Sequence, residues 1–381
     1  MVRRRPTALH VSVWVHERRS RWRAFRSAVS LHAHSSYSRE QLADLPRYLM
    51  QIPFVGSRVE RELRTEGAVD FSKGWWHPPV SPCEVFDAEA AQIADRLELS
   101  PAVSLTDHDD LRAGLDVQPV YGSSRAPISF EWTVPYGPGY FHLGIHNLPP
   151  SGAQAWFDRL AAFTSAPEPS ALPELLAGLH ACRDVLVVFN HPWWDLADVG
   201  GTTHTAMLHH FLRAHGDHLH ALELNGYRSQ HENDRVRALA SEAELPVISG
   251  GDRHGCAPNA LLNLTTATTF GEFVGEVRDG CSRVLIMPEY RQHLLLRTLA
   301  SASDVMGHYP WRPDRQHWTD RVSYEADGVK SLSNVWPGGG PFWVRSSVRV
   351  LHVLTSPLLR PMVGAAFRTM NPSLNDEVAR A

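Results

Sequence analysis

In the segment Val29-Ser30-Leu31-His32-Ala33-His34 a short apolar run ends in two histidines. Six further short runs end in the same way, on a histidine or a carboxylate. They are Val103–His108, Ile128–Glu131, Phe141–His142, Val185–His191, Leu222–Glu223 and Pro246–His254. In a barrel of parallel strands the strand C-termini form one rim, where side chains far apart in sequence converge. The pattern therefore predicts an α/β barrel with a polar site at its rim.

The composition is that of an ordinary globular protein. The 381 residues suffice for one large barrel with insertions or for two domains. A formal net charge of -4 gives the chain as a whole no bias towards polyanions. The four cysteines form no C-x-x-C pair, which argues against a zinc knuckle or a disulfide scaffold and favours a reducing, cytoplasmic location. We expect neither a secretory signal nor a transmembrane segment.

Helical spacing alternates with the apolar runs. It predicts helices at Glu84–Leu99, 151–164, 172–183, 204–215, 229–244 and 270–279, and a last strand at Val284–Met287. This alternation favours an α/β barrel over a sandwich or a bundle.

The regions outside this alternation define the predicted domain organisation. Residues 1–27 are a basic N-terminal arm, with eight arginines between residues 3 and 26. Residues 28–290 form the barrel, within which 40–82 is an inserted, lid-like segment. Residues 291–381 are a C-terminal extension. Within it, Val348–Val363 is apolar but interrupted by arginines and prolines, which predicts a core or docking helix, with an interfacial membrane helix as the alternative.

The histidine pair His32 and His34 is a candidate metal site. Side chains two residues apart in a strand point the same way, so both can chelate one ion. Neutral imidazoles suit zinc, manganese or iron. A lone H-x-H is weak evidence, but ligand-type residues also end the other runs. These segments are Thr106-Asp107-His108-Asp109, Glu131, His142, Asn190-His191-Pro192 and Gly250-Gly251-Asp252-Arg253-His254. Together they indicate a multi-metal hydrolase.

The order of these motifs resembles the PHP (polymerase and histidinol phosphatase) superfamily over about residues 28–290, without the 40–82 insertion. The resemblance implies a distorted seven-stranded, TIM-like (β/α)7 barrel. It also implies two or three divalent ions (Mn2+, Zn2+ or Fe2+), at which a metal-activated hydroxide hydrolyses a phosphate ester.

Carried over residue by residue, the resemblance assigns three metal sites. His32, His34, Glu131 and Asp252 would hold one ion. Glu131 would bridge to a second ion held by His142 and His191, and His108 and His254 would serve a third. Glu131 would thus take part in catalysis, while Asp107 would orient a neighbouring group.

Three points stay open at this level. The segment Ser38-Arg39-Glu40 departs from the family pattern, so either Glu40 supplies a ligand or Arg39 replaces an ion and leaves two metals. His146 competes with His142, which we favour. Arg253 is either a catalytic phosphate clamp or half of a supporting ion pair.

The expected substrate is a small phosphorylated metabolite or a nucleotide rather than long nucleic acid. One alternative is an amidohydrolase. Many of its binuclear relatives bridge their metals with a carboxylated lysine, whereas Lys73 and Lys330 both lie outside the strand ends. A second alternative is a non-catalytic, metal-stabilised module.

Overall fold

The protein is described by a computed structural model that covers residues 10–15, 22, 24–42, 73–312 and 315–370. Most of the predicted basic arm and residues 43–72 of the predicted insertion lie outside the described residues.

The described strands, numbered in chain order, are β1 (His10–Val15), β2 (Ser27–Leu31), β3 (Glu40–Gln41), β4 (Gly74–Trp76), β5 (Ser100–Ser104), β6 (Ile128–Tyr136), β7 (Gly139–Leu148), β8 (Leu186–Phe189), β9 (Ala221–Asn225), β10 (Val247–Gly250), β11 (Leu261–Thr265), β12 (Cys281–Ile286), β13 (Val322–Ala326) and β14 (Gly328–Ser331). The described α-helices are α1 (Pro82–Leu97), α2 (Arg112–Tyr121), α3 (Ala153–Ser165), α4 (Leu172–Ala181), α5 (Gly201–His215), α6 (Gln230–Glu242), α7 (Phe270–Arg278), α8 (Leu294–Val305), α9 (Phe342–Thr355) and α10 (Arg360–Met370). Helices occur in each interval where the sequence predicts one.

Two five-stranded sheets carry the central part of the fold. One has the order β1-β12-β11-β2-β5, and the other has the order β10-β9-β8-β7-β6. The pairs β2–β5, β8–β9 and β9–β10 are parallel, whereas β6–β7 and β7–β8 are antiparallel. Every residue of β2, β8, β9 and β10 is buried, which explains why these strands read as continuous apolar runs rather than alternating ones.

Single residue pairs join the two sheets at the carboxyl ends of their strands. Ala33 pairs in parallel with Arg253, and His108 pairs in parallel with Glu131. The described strand ladders close no barrel, so a mixed α/β fold is confirmed and a closed seven-stranded barrel is not. The bridges nevertheless bring together the segments that follow β2, β5 and β10.

A third sheet connects the two ends of the predicted insertion to the C-terminal region. Its order is β14-β13-β4-β3, with Glu40 opposite Trp76 and Trp76 opposite Val322. Leu42, Val322 and Trp336 pack beneath it. The C-terminal region therefore fixes the position of Glu40. Within the described residues, no helix combines the length and apolarity needed to cross a membrane.

Candidate metal centre

The carboxylate of Glu131, in the buried part of β6, lies at the centre of the polar cluster. Its Oε1 is 3.1 Å from His191 Nε2 and 3.3 Å from His142 Nδ1. Its Oε2 is 3.1 Å from both His32 Nε2 and His108 Nδ1. Each of the two oxygens of one carboxylate therefore has two imidazoles within 3.3 Å.

Three residues that follow strand ends reach the surroundings of Glu131 from a backbone with positive φ. His32 follows β2, His191 follows β8 and Asp252 follows β10, and their φ angles are 60°, 28° and 52°. Residues other than glycine rarely adopt positive φ, and such strained positions concentrate at functional sites. His32 and His34 thus approach Glu131 from the turn after β2, not from the regular strand that the H-x-H spacing predicts.

Asp252 lies beside the same histidines. Its Oδ1 is 3.6 Å from His32 Nε2 and 3.5 Å from His34 Nε2. Its Oδ2 accepts a hydrogen bond from Asn225 Nδ2 at 3.2 Å. The first predicted ligand set, which also includes Glu131, is therefore brought together in space.

Glu40 completes a second group of ligand-type atoms. Its Oε2 is 3.1 Å from His254 Nε2 and 3.3 Å from His108 Nε2, and its Oε1 is 3.7 Å from His34 Nδ1. Ser38 Oγ donates to Glu40 Oε1 at 2.6 Å. Of the two residues considered in the Ser38-Arg39-Glu40 segment, Glu40 is the one whose side chain lies in the cluster. The Arg39 guanidinium lies 5.4 Å from the centre of the Trp75 ring and lines the adjacent cavity.

Three sets of side chains in the described chain each place their nitrogen or oxygen atoms within 4.8 Å of one another. They are His34, Glu40, His108 and His254; His32, His34 and Glu131; and His108, Glu131 and His142.

The clustered carboxylates and imidazoles shift one another's pKa values. Burial raises the pKa of the Glu131 carboxyl, but His32 and His142 outweigh this effect and hold its pKa well below the usual range. Burial lowers the pKa of His108, but the carboxylates of Glu40 and Glu131 reverse the effect and raise its pKa to about 10. Burial, together with the nearby His254, lowers the pKa of His34 to about 3. Buried carboxylates need positive charge beside them, from protonated imidazoles or from cations.

The donor set fits divalent transition metals. Imidazole nitrogen and carboxylate oxygen are the ligands that zinc, manganese and iron take in proteins. Two buried nitrogens, His34 Nε2 and His142 Nδ1, have no hydrogen-bond partner among the described residues. A buried nitrogen left without a partner is costly unless a cation or water meets it. Both of these atoms point towards the carboxylate of Glu131.

His146, the alternative to His142, belongs to none of these three sets. Its Nδ1 is 2.8 Å from Ser104 Oγ, whereas the partnerless nitrogen of His142 faces Glu131. Burial lowers the pKa of His146 to about 3, so its imidazole is neutral. The geometry brings His142 into the cluster and leaves His146 in a hydrogen bond within the fold.

Asp107 and Arg253 do not face the cavity. Asp107 accepts hydrogen bonds from the backbone N–H of Ser35 at 2.5 Å and from its hydroxyl at 2.6 Å, which anchors the turn after His34. Burial raises the pKa of Asp107 to about 7. Arg253 is fully buried and pairs with Glu89 at 3.0 Å. The geometry of Arg253 is therefore that of a supporting ion pair and not that of a phosphate clamp.

Glu223 is the residue of this site that the predicted ligand set lacks. Its Oε1 is 2.7 Å from His32 Nδ1, and its Oε2 accepts the backbone N–H of His191 at 2.8 Å. Asn190 Nδ2 similarly donates to Glu131 Oε1 at 2.9 Å. The signal for Glu223 was present in the sequence, since the run Leu222–Glu223 ends on it.

A cavity of about 550 Å³ opens over the cluster. His108, His142, His191, Asp252 and His254 reach it from the cluster. Its other walls include Arg39, Thr133, Tyr140 and Trp194. The Arg228 guanidinium lies 3.6 Å from the centre of the Trp194 ring. This volume is that of a site for a small molecule.

No protein-family model and no curated protein matches this sequence. Among solved structures, PsfC from Pseudomonas syringae is 16% identical with a TM-score of 0.40, covering 70% of this chain and 93% of its own. An amidohydrolase from Chromobacterium violaceum is 16% identical with a TM-score of 0.34, covering 59% and 87%. A protein from Bifidobacterium adolescentis, provisionally described as a metal-dependent phosphoesterase, is 16% identical with a TM-score of 0.31, covering 54% and 92%. Likenesses at this level carry no argument on fold or function.

Proposed function

We propose that this protein is a metal-dependent hydrolase of phosphate esters, with two or three divalent ions held by the cluster around Glu131. The observation that carries the proposal is the position of Glu131, whose two oxygens face separate groups of imidazoles at 3.1 to 3.3 Å. A carboxylate in such a position is suited to bridge two cations.

The family resemblance, supported by the contacts, suggests which residues would hold the ions. His32, His34 and Asp252 would share one ion with Glu131, and His142 and His191 would hold a second ion with it. Glu40, His108 and His254 would serve a third. Bound divalent ions would supply the activation of water and the neutralisation of charge that develops on a phosphoryl group. The chain's own contribution is a buried, ordered set of ligands.

The outer residues hold this set in place. Glu223 fixes the imidazole of His32 by accepting its Nδ1–H, so that Nε2 faces Glu131. Asp107 holds the turn after His34 through Ser35. A carboxylate–histidine contact like that of Glu223 with His32 sets the tautomer and the orientation of a ligand.

The absence of a suitable lysine favours a phosphate ester over an amide. Lys73 immediately precedes β4 and Lys330 lies in β14, and neither lines the cavity over the cluster. Glu131 would fill the bridging position instead. Arg39 and Arg112 line the cavity, and the guanidinium of Arg39 suits a phosphate oxygen.

The size of the cavity favours a small phosphorylated metabolite or a nucleotide as the substrate. Trp194 offers an aromatic wall, and several of the proposed metal ligands line the same cavity.

The proposal includes the PHP-like architecture. The strands β2 and β5 to β10 would then correspond to an opened, distorted seven-stranded barrel. The ordered ladders from β6 to β10, together with the bridges Ala33–Arg253 and His108–Glu131, support this reading.

The test is to supply the purified chain with Mn2+ or Zn2+ and to assay it against phosphomonoesters, phosphodiesters and amides. We expect turnover of a phosphate ester, and loss of both turnover and metal content in His34→Ala. Turnover of amides alone would favour the amidohydrolase alternative. Full metal content without any turnover would favour the non-catalytic one.

A further inference from the structure

The two C-terminal helices α9 and α10 carry a concentrated group of exposed apolar side chains. Ten large apolar residues of the described chain are strongly exposed, and six of them lie between positions 342 and 362. These six, which we name the apolar crest, are Phe342, Val350, Val353, Leu354, Leu358 and Met362. Leu358, between the two helices, is 88% exposed. Clusters of this kind mark interaction surfaces, unlike single exposed apolar residues.

The opposite side of α9 is already packed. Val344 is buried in one cluster with Leu42, Val322 and Trp336. The hydroxyl of Ser303 in α8 hydrogen-bonds to the imidazole of His352. Because this inner face is fixed against the rest of the fold, the apolar crest faces outwards.

Exposed arginines accompany the apolar crest. Arg345 and Arg349 are one turn apart on α9, and Arg349 precedes Val353 by another turn. Both arginines are exposed, and neither forms a salt bridge within the described part of the chain. No aspartate or glutamate occurs in the sequence between Asp327 and Asp376. The segment is therefore cationic as well as apolar, although the whole chain has a net charge of -4.

We propose that the apolar crest docks on the surface of an anionic lipid bilayer. A helix that presents apolar side chains beside arginines lies in the interface plane, with the apolar residues among the acyl chains and the cations at the headgroups. The positive charge of the exposed arginines favours an anionic bilayer over a second copy of the chain as the partner of the crest. Two copies that met crest to crest would place their arginines in one contact to which this acid-free segment brings no carboxylate.

The test uses the full chain and sedimentation with vesicles. We expect retention on vesicles of phosphatidylcholine with phosphatidylserine, little retention on phosphatidylcholine alone, and release by added salt. Leu358→Glu should weaken partitioning by about tenfold or more, because an inserted side chain becomes charged. Arg349→Ser should weaken it by about fivefold, the effect of one cation near an anionic surface.

Matched variants separate the apolar crest from general surface effects. Val120→Glu places the same charge on another exposed apolar position, and Arg213→Ser removes another exposed arginine. Both should bind vesicles like the wild type. The proposal is overturned if wild-type protein is not retained on anionic vesicles, or if Leu358→Glu binds as well as Val120→Glu. A wild-type dimer that Leu358→Glu dissociates would also overturn it, because the crest would then be a contact between copies.

Discussion

The Nδ1 atom of His32 lies 2.7 Å from the Oε1 atom of Glu223, and both side chains are buried. The other oxygen of Glu223 accepts the backbone N–H of His191, so one carboxylate ties the ends of β2 and β8 together. Glu223 therefore orients two of the proposed ligands without itself lying in the ligand sets.

Glu223→Gln tests this role. The amide retains one acceptor but turns an NH2 group towards either His32 or His191, so we expect the affinity for Mn2+ to fall about 10- to 100-fold. A calorimetric Mn2+ titration measures it. The exposed position Glu242→Gln is the control and should leave the affinity unchanged. Wild-type affinity in Glu223→Gln would show that its carboxylate does not support the centre.

Gly250→Ala should disrupt the contact between His32 and Glu223 by adding a methyl group beside it. A Cβ atom at Gly250 would lie 1.7 Å from Glu223 Oε1, so the carboxylate has to move away from His32. We expect reduced Mn2+ affinity in the same titration. Gly271→Ala is the control, because a Cβ there meets nothing within 4 Å and the helix α7 gains about 0.5–1 kcal/mol. Equal Mn2+ affinities for the two variants would contradict this account of Gly250.

Glu40 and Arg39 have different roles in the proposed centre. Glu40→Gln replaces the anion between His108 and His254 with an amide, so we expect the variant to lose about one ion per chain. Arg39→Gln should keep its ions and raise KM about tenfold, through the loss of a charge-assisted hydrogen bond to phosphate. Elemental analysis and steady-state kinetics measure the two effects. If Arg39→Gln loses the ion and Glu40→Gln keeps it, the assignment is reversed.

His220, which contacts Val187 and His180 and belongs to none of the candidate ligand sets, should make folding sensitive to acid. Burial and the nearby Arg278 lower its pKa to about 2, whereas its pKa in the unfolded chain is about 6.5. The unfolded state therefore binds the proton first, and the stability present above pH 6.5 is lost as the pH falls below that value. His220→Asn keeps an acceptor for the Val187 N–H that now bonds Nδ1.

We expect the free energy of unfolding of the wild type to fall by about 2 kcal/mol more than that of His220→Asn between about pH 6.5 and 5. Urea unfolding in the presence of a chelator measures this difference. His231→Asn, at an exposed position, should follow the wild-type curve. Parallel curves for His220→Asn and the wild type would exclude a buried, neutral His220.

The sequence predicts the local elements well, because apolar periodicity and end signals are local. The helix α1 is an example: Ser81 and Glu84 form a capping box, and Pro82 occupies its first turn. Closure of the barrel was less predictable. It depends on which strand edges pair, and single bridges replace ladders at Ala33 and His108.

The limits of prediction at the site have physical causes. Glu40 reaches the cluster because β3 pairs with β4 and β4 with β13, a contact between distant parts of the chain that no local pattern encodes. Strand spacing shows which residues face the rim, but not whether a carboxylate ligates or accepts a hydrogen bond. The different positions of Glu131 and Glu223 therefore required the three-dimensional contacts.

The most direct test of the bridging carboxylate is the metal content of the wild-type chain and of Glu131→Gln, measured by elemental analysis after dialysis from excess Mn2+ or Zn2+. We predict that the wild-type chain retains about two or three ions. Glu131→Gln should lose about two of them and should also lose the phosphoesterase turnover. A wild-type chain that retains no ion, or a Glu131→Gln chain that retains all of them, would contradict the account.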